Sequence, residues 1–282
     1  MPSHIESLDW RAVFAFGIAS LLTIALGAVV MAQADIPLGI WIRNPIAWLL
    51  AGAVALLLAS RGWLGAWLAP VALIIIALSL IGPDQQGVHR WLNLGPIQLN
   101  AAALVLPAAI ATFMRTPIVV AISAFAIIAG LLALQPDISQ LAAFALAATL
   151  LSTARWGLKG AGVALLLSAG AIALCLSRPD PLAPVLHVEG IFALAWSQSP
   201  VLAVAMAVSL ALTALSPLLR RKSAPGALAL TTYFAATSLA VLLGANPVPL
   251  AGYGLSFVIG WWFGFACLCV PIRRNANSLT SS

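Results

Sequence analysis

The chain has 282 residues, of which 63% are hydrophobic and only 7% charged. Soluble domains carry roughly 25% charged residues, so this surface is not built for water, and a soluble helical core would lack the polar faces needed to solvate it. The 13 Lys and Arg exceed the 7 Asp and Glu, giving +6, but the basic residues stand between apolar runs, the topogenic pattern of membrane proteins rather than a nucleic-acid surface.

In chain order the sequence contains ten apolar segments, at approximately 11–32, 44–60, 63–81, 98–114, 117–134, 138–154, 158–176, 190–219, 226–244 and 255–272. Each approaches the ~20 residues that a helix needs to cross the hydrocarbon core. Helices are the expected solution, because backbone polar groups in lipid must be satisfied within the segment. The predicted fold is therefore an all-α polytopic integral membrane protein of about ten transmembrane helices, with 1–282 as a single transmembrane domain. Ala32-Gln33-Ala34 after the first segment imitates a signal-peptidase site. The preceding apolar stretch is long for a signal and follows Glu6 and Asp9, so an uncleaved first helix is expected. The eighth segment is too long for a straight crossing. Ser197-Gln198-Ser199-Pro200 interrupts it, and proline removes a backbone hydrogen bond there, which predicts a kinked or partly inserted portion.

Numbering the loops alternately separates the charges. One set holds Arg11, Arg61, Arg115, Arg155, Lys159, Arg220, Arg221, Lys222, Arg273 and Arg274; the other holds only Arg43, Arg90 and Arg178. This positive-inside bias predicts that both termini are cytoplasmic. Asp35, Asp84, Asp137, Asp180 and Glu189 fall on the outer side, with His89 and His187. Trp10, Trp41, Trp63, Trp91 and Trp156 stand near segment ends, where aromatic rings favour the headgroup layer. Cys175, Cys267 and Cys269 lie in apolar stretches without disulfide or metal spacing, and are read as packing.

Four outer loops carry the distinctive polar residues. The first reads Gly87-Val88-His89-Arg90-Trp91-Leu92-Asn93-Leu94-Gly95 with Gln98 close behind, and the second reads Gln135-Pro136-Asp137. The third contains Pro184-Val185-Leu186-His187-Val188-Glu189-Gly190-Ile191-Phe192-Ala193, and the last Pro247-Val248-Pro249-Leu250-Ala251-Gly252-Tyr253-Gly254-Leu255-Ser256. In this order, in loops on one side of a ten-segment chain, they resemble the SEDS family of peptidoglycan polymerases (RodA, FtsW and SpoVE) from about residue 80 to 270. The first is similar to the family's G-x-x-R-W-I-x-L-G element and the second to Q-P-D-x-G-T. The third is similar to L-P-x-x-x-T-D-F-I-F-A, where Glu189 stands at the family's essential aspartate. The fourth is similar to P-L-P-F-x-S-Y-G-G-S-S. The family's Q-P-S-E-x-x-K is departed from: Gln98 is kept, while Asn100, Ala101 and Leu104 replace its Ser, Glu and Lys. Ser197-Gln198-Ser199 replaces the acids of its G-E-E-L-G stretch, and the outer loop that carries Pro184 to Ala193 is short.

The resemblance implies a membrane glycosyltransferase that polymerises lipid II, an undecaprenyl-pyrophosphate disaccharide, on the outer side of a bacterial cytoplasmic membrane in cell shape or division, with a class B penicillin-binding protein (a transpeptidase) as partner. That chemistry needs a base for the attacking hydroxyl and positive charge for the departing pyrophosphate. Glu189, at a loop-to-helix boundary, is the candidate catalytic base; its bland reading is a favourable acid at a helix start. Arg90 is the leading phosphate contact, or else an interfacial anchor beside Trp91. Asp137 fits an N-cap, which is compatible with lining a cavity. His187 orients substrate or bonds backbone, and Tyr253 closes over a ligand or punctuates a loop. Gln98, Asn93 and Asn100 satisfy sugar hydroxyls or one another. A divalent ion held by Asp137 or Glu189 would supplement the few outer cations, although no ligand spacing marks a metal site. The outer loops are expected to converge on a cavity around Glu189 and Arg90. Two alternatives stand beside the enzyme: a catalytically impaired scaffold of a transpeptidase, favoured by the lost Glu and Lys, and a lipid flippase, disfavoured by segment interiors almost bare of charge.

Overall fold

The computed structural model describes residues 8–178, 180–244 and 246–270. Apolar sequence of helical length gives helices α1 (Trp10–Gln33), α2 (Leu38–Trp41), α3 (Arg43–Ser60) and α4 (Leu68–Ser79). Then come strands β1 (Trp91–Leu94) and β2 (Ile97–Asn100), followed by α5 (Ala101–Thr112), α6 (Ile118–Leu134), α7 (Ile138–Leu176), α8 (Ile191–Gln198), α9 (Pro200–Leu215), α10 (Ala227–Leu239) and α11 (Leu255–Cys269). The helices fall on the apolar segments read from the sequence. Trp10–Gln33, Leu38–Ser60, Ile138–Leu176 and Pro200–Arg220 are each long and apolar enough to cross a membrane; five further apolar helices are shorter. Large side chains such as Ile18, Leu49, Leu166 and Val201 face outward. In a chain with so few charges that exterior suits lipid and not water. The protein is an all-α polytopic membrane protein.

Two interruptions set the geometry. Gly157 (φ 66°, ψ −154°) breaks α7, so that 158–176 folds back antiparallel on 138–156, and a Cβ on Gly160 would strike the Ser152 carbonyl. Ser199 leaves the helical region (φ −163°, ψ 118°), caps α9 through its hydroxyl, and Pro200 occupies the first turn, where its missing N–H costs nothing. This is the kink expected in the eighth segment.

One departure from the all-helical expectation is the β1–β2 hairpin. Residues 98–100 read as the start of an apolar segment, but they pair with Trp91–Asn93. Gly95, at φ 65°, takes the first position of a two-residue turn with Pro96, the position glycine favours in hairpins of this kind. Asn100 then ends the strand and caps α5 by accepting from the Ala103 N–H at 2.9 Å.

α11 is the hub of the bundle, buried almost from end to end. Lipid supplies no hydrophobic drive between helices, so close contact and interhelical hydrogen bonds must hold them. Gly260 and Gly264, four apart, lay α11 directly on the α5 backbone at Ala103, Leu104 and Pro107, and Gly52 admits the Trp262 ring. Phe16 stacks on Phe265 at 4.4 Å, and Phe234 on Trp261 at 3.9 Å. Thr23 bonds Ser209 at 3.0 Å between α1 and α9, and Trp48 donates to Ser20 at 2.8 Å. Such bonds contribute about 0.6 kcal/mol each on average in membranes.

The loops sort into two ends as the charge alternation requires. Arg220 pairs with Asp9 at 2.9 Å at one end, where Arg155 also donates to the Thr116 carbonyl. Arg43, Arg90, Asp137 and Glu189 lie in loops or helix starts at the other. Arg273 and Arg274 lie outside the described residues.

Candidate functional site

At the end that carries Glu189 and Arg90, two hydrogen-bond networks hold the residues singled out from the sequence. The first joins the third and fourth polar loops. Residues 185–190 form a tight turn in which Val188 and Glu189 both donate to the Val185 carbonyl at 3.0 Å. Glu189 completes the turn: its Oε2 accepts from the Val185 N–H at 2.7 Å. No hydrogen bond among the described residues engages Oε1, which is therefore open to a donor. α8 begins two residues later, so the carboxylate sits at the mouth of a helix start.

The loop before α11 docks on this turn through its backbone. Tyr253 N–H donates to the His187 carbonyl at 2.9 Å, and Val248 N–H to that of Val188 at 3.3 Å. Gly252 lies against Val188 where a side chain would not fit. Asn44, buried at the start of α3, clamps the same loop. It donates to the Gly252 carbonyl at 2.9 Å and accepts from the Gly254 N–H at 3.3 Å. Its neighbour Arg43 donates to the Tyr253 hydroxyl at 3.2 Å, and the His187 and Tyr253 rings stand 6.2 Å apart. Burial holds the His187 imidazole below its ordinary pKa, and the nearby Glu189 opposes that shift. A carboxylate, an imidazole, a phenol and a guanidinium thus share one loop cluster.

The second network surrounds the hairpin. Direct cross-strand partners share a face, so the register puts Trp91, Asn93, Gln98 and Asn100 on one side and Leu92, Leu94, Ile97 and Leu99 on the other. Arg90 pairs with Asp180 at 2.8 Å and lies 4.6 Å from the Trp91 ring centre. Gln98 accepts from Gln85 at 2.6 Å. Asp137 caps α7 by accepting from Gln140 N–H at 3.2 Å, and also takes bonds from Ser139 and, at 2.9 Å, from the Asn100 amide. It is only 4% exposed, and these neutral donors satisfy its carboxyl oxygens. Gln140 continues the network inward by accepting from the buried Tyr233 hydroxyl.

Glu189, His187 and Tyr253 are therefore brought together, and Arg90, Trp91, Gln98 and Asp137 form the second group. Among the described residues no hydrogen bond or ion pair joins Arg90 to Glu189, and no three His, Cys, Asp or Glu side chains gather as metal ligands. Sequence reasoning passed over two residues. Arg43, one of three outer cations, has a neutral partner and stands beside Tyr253, whereas Arg90 is already neutralised. Asp180, some ninety residues from Arg90, carries no local signal of that pairing.

This bundle belongs to a known class: a many-helix membrane fold in which a buried last helix is wrapped by the others and polar loops gather at one end. Solved structures of the same fold are the rod shape determining protein RodA of Thermus thermophilus (21% identity, 95% of this chain and 97% of that chain, TM-score 0.62) and an aspartate-to-alanine mutant of it. A further one comes from a peptidoglycan synthase complex described as coordinating polymerization and crosslinking (21% identity, 94% and 97% covered, TM-score 0.64). The likeness is one of fold. No protein-family model matches the sequence, and no curated protein matches it.

Proposed function

We propose that the protein is a SEDS-type glycosyltransferase of the bacterial cytoplasmic membrane, with residues 1–282 forming one transmembrane domain, both termini cytoplasmic, and lipid II as substrate at the outer face. The observation that carries this reading is the loop cluster: Glu189, at the position of the family's essential aspartate, closes the turn whose His187 carbonyl accepts from the Tyr253 N–H, on a RodA-like fold. A sugar hydroxyl attacks the anomeric carbon of a second lipid-linked sugar. The new C–O bond forms as the bond to the pyrophosphate breaks, the hydroxyl proton passes to Glu189, and the electron pair leaves with undecaprenyl pyrophosphate. The Val185 N–H holds Oε2, so Oε1 receives the proton. Arg43, without a carboxylate partner among the described residues and bonded to Tyr253, is the proposed source of charge for the leaving group; Arg90 joins only when an anion displaces Asp180. A transpeptidase, of the class B penicillin-binding type, is the proposed partner.

The second reading is a scaffold that binds such a transpeptidase without turnover. It is favoured by Ala101 and Leu104, which place no ionisable group on the first turn of α5 where the family has Glu and Lys. Pure protein incubated with lipid II, with and without a candidate transpeptidase, separates the two: glycan chains support the enzyme, and copurification without chains supports the scaffold.

A further inference from the structure

At the end opposite these loops, a cleft of about 210 Å³ opens between α6 and the two arms of α7. Its walls are apolar, formed by Phe113, Phe125, Trp156, Val163 and Leu167, and Lys159 stands at its rim. Lys159 is exposed and makes no ion pair among the described residues. Arg155 beside it is committed, donating to the Phe113 and Thr116 carbonyls at 3.3 and 2.7 Å and so fixing the cleft's floor. The described acids lie at the far end except Asp9, which Arg220 holds. Lys159 is therefore available, among the described residues, to meet an anion from outside.

We propose that this cleft binds one anionic phospholipid of the cytoplasmic leaflet, with its phosphate on Lys159 and an acyl chain between α6 and α7. Lys159 to Leu167 spans eight residues, about 12 Å along a helix, so the cleft runs from the headgroup layer into the hydrocarbon. Ile118, Ile122 and Val163 at its mouth are exposed, which opens it sideways to lipid. At about 210 Å³ the cleft is far smaller than a helix about 10 Å across over the same length, and suits a single acyl chain. Basic pockets between helices on the cytoplasmic side suit acidic headgroups.

The test reconstitutes the full chain in phosphatidylcholine vesicles and measures, by electron spin resonance, the immobilised fraction of spin-labelled phosphatidylglycerol against spin-labelled phosphatidylcholine. A single lysine at the surface predicts about a fivefold preference for the anionic lipid. Lys159→Gln should abolish that preference, Val163→Phe should reduce immobilisation of both lipids, and Arg61→Gln, exposed at the same end outside the cleft, should leave it unchanged. Equal immobilisation of the two lipids by the unaltered protein, or a preference that survives Lys159→Gln or falls as much with Arg61→Gln, overturns the proposal.

Discussion

At the residue scale the proposed chemistry rests on a carboxylate with two tasks. Glu189 closes its own turn through Oε2 and offers Oε1, so Glu189→Gln should keep the fold and lose the base. Polymerisation should fall by about 10² or more at equal expression, in line with the contribution of a positioned base. His187 supplies a pH test. Its pKa is depressed mainly by burial, so the folded state binds fewer protons than the unfolded one. Its share of stability is therefore complete above the unfolded value and is lost as pH falls through the folded one. Thermal unfolding of the purified protein should drop more between neutral and mildly acidic pH than that of His187→Gln. Glu189 and His187 were legible because they are outer-loop ionisable groups in a chain nearly bare of charge. The pairing of Arg90 with Asp180 was not, because it joins two loops that only the folding-back of α7 brings together.

At the element scale, backbone contacts decide which loops meet. Gly260 rests on the Ala103 carbonyl, and overpacking of this kind costs about 1–3 kcal/mol. Gly260→Val should lower the unfolding temperature and disturb the seat of α11 without altering any polar group. Asn100 joins the hairpin, α5 and α7 by capping one helix and donating to the buried Asp137. Asn100→Ala leaves that carboxylate a donor short, a loss of about 1–3 kcal/mol for a buried polar group, measurable in the same melting assay. The helix positions followed from hydropathy alone, since lipid demands long apolar runs. The hairpin did not, because Ile97 and Leu99 continue the apolar pattern of α5 and only the Gly95-Pro96 turn marks the strand.

At the scale of the whole molecule, alternating charge implies that the Glu189 loops face outward. The native cysteines are buried, so a single exposed cysteine reports its side. Leu94→Cys, at the hairpin tip, should react with an impermeant maleimide in intact cells, and Lys222→Cys only after permeabilisation. That sidedness is predicted by counting lysines and arginines in the sequence, and the labelling tests it. That Glu189 and Arg90 belong to different hydrogen-bond networks was not legible there, because it depends on which loops pair in the fold. The central claim is that the Glu189 cluster makes glycan. The most direct measurement gives purified protein lipid II, with and without a candidate transpeptidase, and resolves the products by size. Polymer from the unaltered chain and none from Glu189→Gln is the predicted result; no polymer under either condition, or equal polymer from both chains, would contradict it.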